Sequence, residues 1–220
     1  VESFAFINEQ FYTWKVDRDR TDLLLSRGWR HFGEHFFRYN LGVFEKEIRR
    51  VYALRIDLAR FRPTRSYRRV LSRNADLRSD IRPVVITPET EALFERHKTR
   101  FRTGVPESVY NFVSREPATV PCETLECAVT DRDRLVAVSF FDVGNYSISS
   151  IYGMFEPGLA RRSLGILTML REIEYALDAG KRYYYHGYVF EGPSFYDYKK
   201  RFPALEMYDW NGGWSEYDGR

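Results

Sequence analysis

Residues 51–58 put Tyr52, Leu54, Ile56 and Leu58 on one side and Ala53, Arg55 and Asp57 on the other, the alternation of a half-buried strand. Pro63 breaks the run, Thr64 offers a capping hydroxyl, and residues 66–72 continue as a short basic helix. The chain before that helix reads as aromatic-rich strands and turns. Residues 76–88, with their prolines and aspartates, predict a connection. Thr87-Pro88 pairs an N-cap with a proline at the first helical position and opens a helix through Leu93, Phe94 and His97. Residues 125–130 and 135–143 are two strands joined by the charged turn Asp131-Arg132-Asp133-Arg134, a hairpin pattern, and 148–155 is a third strand. Residues 162–179 line up Leu167, Leu170, Ile173 and Leu177 on one side of a helix, Gly180 stops it, and 182–190 returns to strand. The order strand, strand, strand, helix, strand predicts a mixed α/β (α+β) protein. We expect an N-terminal region, 1–80, and a larger domain, 81–220.

At 220 residues, 44% apolar and 30% charged, the chain has enough apolar surface for a sizeable core. No apolar run is long enough to span a bilayer and the first residues lack a signal-peptide pattern, so a cytoplasmic protein is expected. Cys122 and Cys127 are the only cysteines, too few for a disulfide framework or a four-thiolate metal site. His31, His35, His97 and His186 are dispersed along the sequence, and neither a metal nor a cofactor is expected. The net charge of +3 conceals a local excess: residues 46–73 carry ten basic side chains, all but Lys46 arginine, against Glu47 and Asp57 alone. Guanidinium forks match phosphate oxygens, so Arg49, Arg62, Arg65, Arg68 and Arg69 form a candidate RNA footprint. A solvated basic face is the plainer alternative.

Several motifs occur in a telling order. Arg27-Gly28-Trp29-Arg30-His31-Phe32-Gly33 comes first, then Leu54-Arg55-Ile56-Asp57, the basic segment from Arg65 to Leu71, and Leu93-Phe94-Glu95-Arg96-His97. Ser149 to Pro157 and Ser163-Leu164-Gly165 follow, and then the aromatic run Tyr183 to Phe190 with Pro193 and Tyr198-Lys199. Together they resemble the arginyl-tRNA protein transferase family, which includes the bacterial aspartate/glutamate leucyltransferases. The resemblance implies an N-acetyltransferase-like fold. It also implies transfer of arginine or leucine from aminoacyl-tRNA to the α-amine of proteins with acidic first residues, as in the N-degron pathway. The chain departs from the family in lacking cysteines near positions 8–14 and 44–50, where Phe11, Tyr12, Trp14 and Phe44 stand instead.

Such a reaction starts from an activated ester, so it needs positioning, removal of a proton and support of an oxyanion rather than a covalent intermediate. Asp142, closing the apolar run 136–141, matches an acid at that place in the family and is the first catalytic candidate; Glu156, before Pro157, is the second. Arg162, Ser163 and Gly165 open a helix whose start suits an anion. Tyr152, Tyr185, Tyr188 and Tyr198 could stack on the terminal adenosine or wall the aminoacyl pocket, with Gly187 allowing close approach. Lys199 and Arg201 are placed to read an acidic acceptor side chain. Plainer roles are open to the same residues: Asp142 can serve the Gly144-Asn145 turn, Glu156 a turn, and the tyrosines the core. Two rival functions also remain, a coenzyme A-dependent N-acetyltransferase and a catalytically silent tRNA-binding relative.

Overall fold

The alternation of residues 51–58 does make a strand, but one covered on both faces. In the computed structural model, which describes residues 5–219, that strand runs through a nine-stranded sheet built from both parts of the chain. A separate three-stranded antiparallel sheet is formed first, by β1 (Asn8–Tyr12), β2 (Arg30–Phe32) and β3 (His35–Tyr39), with helix α1 (Arg18–Ser26) inserted after β1. Helix α1 escapes sequence patterning because its leucines are consecutive rather than spaced at a helical period; Asp17 starts it by accepting the Arg20 N–H at 2.8 Å.

β4 (Leu41–Phe44) and β5 (Glu47–Asp57) form a hairpin whose two turn residues, Glu45 and Lys46, both have positive φ, as tight hairpin turns of matching twist require. Helix α2 (Arg65–Arg73) follows, capped by Thr64 as expected. Then come β6 (Arg78–Pro83), α3 (Pro88–Lys98) capped by Thr87, and the meander β7 (Thr124–Asp131), β8 (Arg134–Val143) and β9 (Ser147–Phe155). Helix α4 (Leu164–Asp178) leads to β10 (Tyr183–Phe190), β11 (Leu205–Tyr208) and β12 (Trp214–Glu216).

The large sheet runs β12-β11-β5-β10-β9-β8-β7-β6, with β4 also on β5, and only β9 and β10 are parallel. The fold is therefore mixed α/β with a mostly antiparallel sheet. The expected boundary at residue 80 does not separate two sheets, since β5 pairs directly with β10 and β11.

Helices α2 and α4 cover one face of the sheet, over Leu54, Ile56, Phe141 and Ile148. Burying Leu164, Leu167, Leu170 and Ile173 from α4 contributes about 1.5–3 kcal/mol for each side chain. Leu177, expected on the same side, is instead an exposed residue of the last turn. Helix α3 covers the second face, packing Leu93 and Phe94 on Val138, Phe140 and Met154. The small sheet is joined to that face through Arg30 and His31. Because both faces are covered, Val51, Ala53, Arg55 and Asp57 of β5 are buried along with the alternating set. Among the described residues no helix is long and apolar enough to cross a membrane.

Candidate active site

β9 and β10 pair only over Ser147–Ser149 and Tyr183–Tyr185, and beyond that point they part. β10 stays on β5 instead, and a bulge absorbs the change: the register skips His186, and Gly187 takes φ +100°. The opening leaves one edge of each strand's backbone without a strand partner there. Arg30 from β2 fills its root. Its Nη1 donates to Ser149 Oγ at 2.6 Å and to the Tyr185 carbonyl at 3.3 Å, and its Nη2 donates to the Ser150 carbonyl. Lys199, in the short 3₁₀ turn after β10, reaches back so that Nζ donates to the Tyr188 carbonyl at 3.3 Å. Nζ takes the space a side chain on residue 187 would need: a Cβ there would lie 2.8 Å from Lys199 Nζ and 3.9 Å from Arg30 Nη2. Burial, and secondarily the Arg30 charge, lower the Lys199 ammonium to about 7.

Aromatic rings wall the opening. On the small sheet Phe32, Phe37 and Tyr39 run side by side, and Tyr188 meets Tyr39 edge-on at 5.1 Å. Phe32 also meets Phe112, which stacks on Tyr152 at 3.7 Å. The Tyr152 hydroxyl is buried and has no partner among the described residues.

Below the opening, on the α4 side, Glu172 is 0% exposed; Tyr184 donates its hydroxyl to Oε2 at 2.6 Å, while Oε1 has no partner among the described residues. Burial raises the Glu172 carboxyl to about 7. His186 stacks on Tyr184 and is lowered to about 3 by burial and the Lys199 charge, which keeps the ring neutral.

On the opposite side Asp142 is 1% exposed, with Oδ2 held by His31 Nε2 at 2.6 Å and Oδ1 by the Thr124 hydroxyl at 2.8 Å. Burial opposes the His31 charge, but the Asp142 carboxylate outweighs it and raises the imidazole well above its usual value. His31, Cys122 and Asp142 offer donor atoms all within 4.8 Å of one another, although the histidines are dispersed in sequence. The His31–Asp142 contact is nonetheless a direct hydrogen bond, shorter than the roughly 3.3 Å between tetrahedral ligands about 2.0 Å from a zinc ion.

The expected site residues scatter over this arrangement. Asp142 presents no open oxygen and holds His31 beside Arg30. Glu156 lies at the far end of β9, seven residues from Ser149 or about 23 Å along the strand, clamped by Arg96 at 2.9 Å and by Arg134. Burial would raise its carboxyl, but Arg96 and Arg134 hold it lower. Tyr185 shares the sheet face of Ser149, but its hydroxyl is engaged, accepting from Arg55 at 3.2 Å. Tyr188 and Tyr152 are on the wall, Gly187 and Lys199 at the root, and Tyr198 on the rim. Arg162 is tied to Asp76 at 2.6 Å, Ser163 has a left-handed backbone without a side-chain cap, and a Cβ on Gly165 would press on the Phe155 ring at 3.2 Å. Arg201 is exposed, and its charge acts on Tyr67 of α2.

The basic segment also divides. Arg55 pairs with Glu206 at 2.7 Å and Arg60 with Asp57 and Glu206, while Arg49 is held by Glu47 and the Pro193 carbonyl at the far end of β5. Arg62, Arg68 and Arg73 donate to backbone carbonyls. Among the described residues no carboxylate pairs with these three or with Arg65 and Arg69.

Sequence reasoning missed Arg30, Glu172 and Tyr184 as site residues. Glu172 had a signal: with Thr168 and Ala176 it keeps a four-residue spacing along the buried stripe of α4, where a carboxylate is unexpected. Arg30 lies inside the first family motif, but nothing in the sequence assigns it a partner.

Comparison with known proteins adds four findings. The family model described as arginine-tRNA-protein transferase, C terminus, matches residues 89–209. The aspartate/glutamate leucyltransferase of Stenotrophomonas maltophilia is 32% identical over 211 residues, which is 90% of this chain and 82% of that protein. The protein of the same name from Cereibacter sphaeroides is 35% identical over 170 residues, 74% of this chain and 60% of its own length. Among solved structures, L-PGS from Bacillus licheniformis superposes with a TM-score of 0.49 at 14% identity, covering 85% of this chain and 55% of that one.

Proposed function

The chain belongs to the arginine-tRNA-protein transferase family and its chemistry is aminoacyl transfer from tRNA to protein; we propose that the transfer takes place where β9 and β10 part, in an N-acetyltransferase-like core. The acceptor's α-amine attacks the ester carbonyl, the C–N bond forms, the bond to the 3′-oxygen of the terminal adenosine breaks, and that oxygen takes the proton the amine loses. The protein's part is to align amine and ester, exclude water and supply donors to the carbonyl oxygen.

The observation that carries the reading is the combination at one opening of free strand edges, an aromatic wall and the cations Arg30 and Lys199. The wall favours an uncharged apolar aminoacyl group, and the two cations oppose an arginine side chain. Leucine is the donated residue this supports, in keeping with the names of the relatives. The acceptor begins with an acidic residue, whose carboxylate suits the same cations. Arg62, Arg65, Arg68, Arg69 and Arg73 form the tRNA face within residues 1–80. That face leads to the opening through Tyr67, stacked on Phe202 at 4.7 Å, and the turn that holds Arg201 and Lys199. Asp142 acts through His31 to position Arg30. Aminoacyl-tRNA as donor sets the reaction in the cytoplasm.

The test is incubation with a mixture of labelled aminoacyl-tRNAs and peptides differing at residue one, read by mass. The expected product is an Asp- or Glu-initiated peptide heavier by one leucyl residue. Acetyl coenzyme A consumption with no aminoacyl product would replace this reading with an acetyltransferase.

A further inference from the structure

Arg30 and Lys199 stand side by side at Gly187 with only neutral partners: Ser149 Oγ, the carbonyls of Tyr185, Ser150 and Tyr188, and for Lys199 the Tyr196 ring at 5.1 Å. Among the described residues neither forms an ion pair. The two nearby buried carboxyls act on Arg30 only through space: Asp142 is held by His31 and Thr124, and Glu172 accepts from Tyr184 through Oε2 while its Oε1 bonds to neither cation. Both are half-buried, and cations partly withdrawn from water with no anion bonded to them are costly, two together more so, which makes such a pair a receptor for an anionic ligand.

We propose that Arg30 and Lys199 together clamp the carboxylate of the acceptor's first side chain, and that Arg201 takes no part. This rests on the transferase reading above and adds the residues that set acceptor choice. The clamp's geometry discriminates chemically. Lys199 Nζ has donor capacity beyond its one bond to Tyr188, and the guanidinium is fixed by three bonds, so an incoming carboxylate meets a rigid donor and a mobile one. A side-chain amide of the same shape would present its N–H₂ to two cations and leave them uncompensated, so Asn and Gln are rejected where Asp and Glu are accepted. The lowered Lys199 value fits an ammonium with no counter-ion, which a bound carboxylate would supply. Arg201, by contrast, is exposed, and Lys200 is bound to Asp197 at 2.9 Å and to the Gly192 carbonyl.

The experiment compares kcat/KM for peptide pairs differing only as Asp or Asn at residue one, with leucyl-tRNA as donor. Wild-type protein should prefer Asp. Lys199→Met should lower that Asp:Asn ratio by about ten- to a hundredfold, the loss expected for one charge-assisted hydrogen bond, and Lys199→Arg should restore much of it. Arg201→Gln should leave the ratio unchanged. A Lys199→Met protein whose KM for leucyl-tRNA rises while the ratio holds would overturn the proposal, because the anion would then be a tRNA phosphate. Peptide binding without tRNA, followed by calorimetry, separates the two readings. Tighter binding of the Asp peptide, weakened by Lys199→Met, upholds the clamp even if no transfer occurs, whereas transfer indifferent to residue one refutes the clamp and leaves the transferase standing.

Discussion

One methyl group added at Gly187 tests the placement of Lys199. The backbone there has φ +100°, which an L-residue adopts only under strain of about 1–3 kcal/mol. The new Cβ would lie 2.8 Å from Lys199 Nζ, too close for an unbonded carbon, whereas Arg30 Nη2 at 3.9 Å needs no shift. The atom that must yield is the tip of a flexible lysine, so Gly187→Ala should fold but move the ammonium away from Arg30. Two effects follow. Stability should fall by the strain alone, lowering the melting temperature by about 2–4 °C per kcal/mol in a chain of this size. The Asp:Asn acceptor ratio should fall with it by about tenfold or more, as one charge-assisted hydrogen bond is lost. Gly180→Ala is the control: its φ is +67° and nothing lies within 4 Å of the added Cβ, so it shares the backbone penalty without approaching the cations. Melting curves and peptide competition on both variants complete the test. A Gly187→Ala protein with the wild-type ratio would refute the reasoning, since Lys199 would then act equally well from elsewhere.

Glu172→Gln should change the pH dependence of stability. The folded carboxyl, at about 7, binds its proton more tightly than the unfolded one at about 4.5, so wild-type stability falls as pH rises between those values, by roughly 3 kcal/mol, and the glutamine variant should lack that slope in denaturant midpoints at pH 5 and pH 8. Asp142→Asn should cost about 3–5 kcal/mol near pH 6 by leaving His31 buried without its anion. Because the folded imidazole titrates well above 6.5, the pair's contribution is complete below that value and lost as pH rises through the folded one, so the deficit should shrink in alkaline melts; a pH-independent deficit would exclude an ion pair. Replacing Arg65, Arg68 and Arg69 together by glutamine should weaken tRNA binding at matched salt and reduce the slope of log affinity against log salt by about 0.7–0.9 for each phosphate no longer neutralised, with an unchanged melting temperature; unchanged affinity would remove α2 from the RNA face.

Local interactions make most of the elements legible in the sequence. The caps Thr64 and Thr87 act on backbone three residues away, and the spacing of Leu167, Leu170 and Ile173 reports one turn of helix at a time. The family motifs likewise carry the reaction class, and they name Lys199, Gly187, Tyr152 and Tyr188 as candidates. Pattern fails where a residue's partner is remote. Leu177 fits the period of α4 but falls where the helix outruns the sheet, and β5 alternates although neighbours cover both its faces. The basic segment looks uniform because Glu206, which takes up Arg55 and Arg60, lies some 150 residues farther on. Which residues come together at the site is decided in three dimensions. Arg30 meets Ser149 across 119 positions and His31 meets Asp142 across 111, and nothing in local periodicity relates such residues. A helical or strand period records which side of an element faces the core. Whether a buried charge finds a counter-ion there or must take one from a ligand depends on which other strands arrive beside it, and it is the parting of β9 from β10 that sets Arg30 and Lys199 side by side among neutral oxygens.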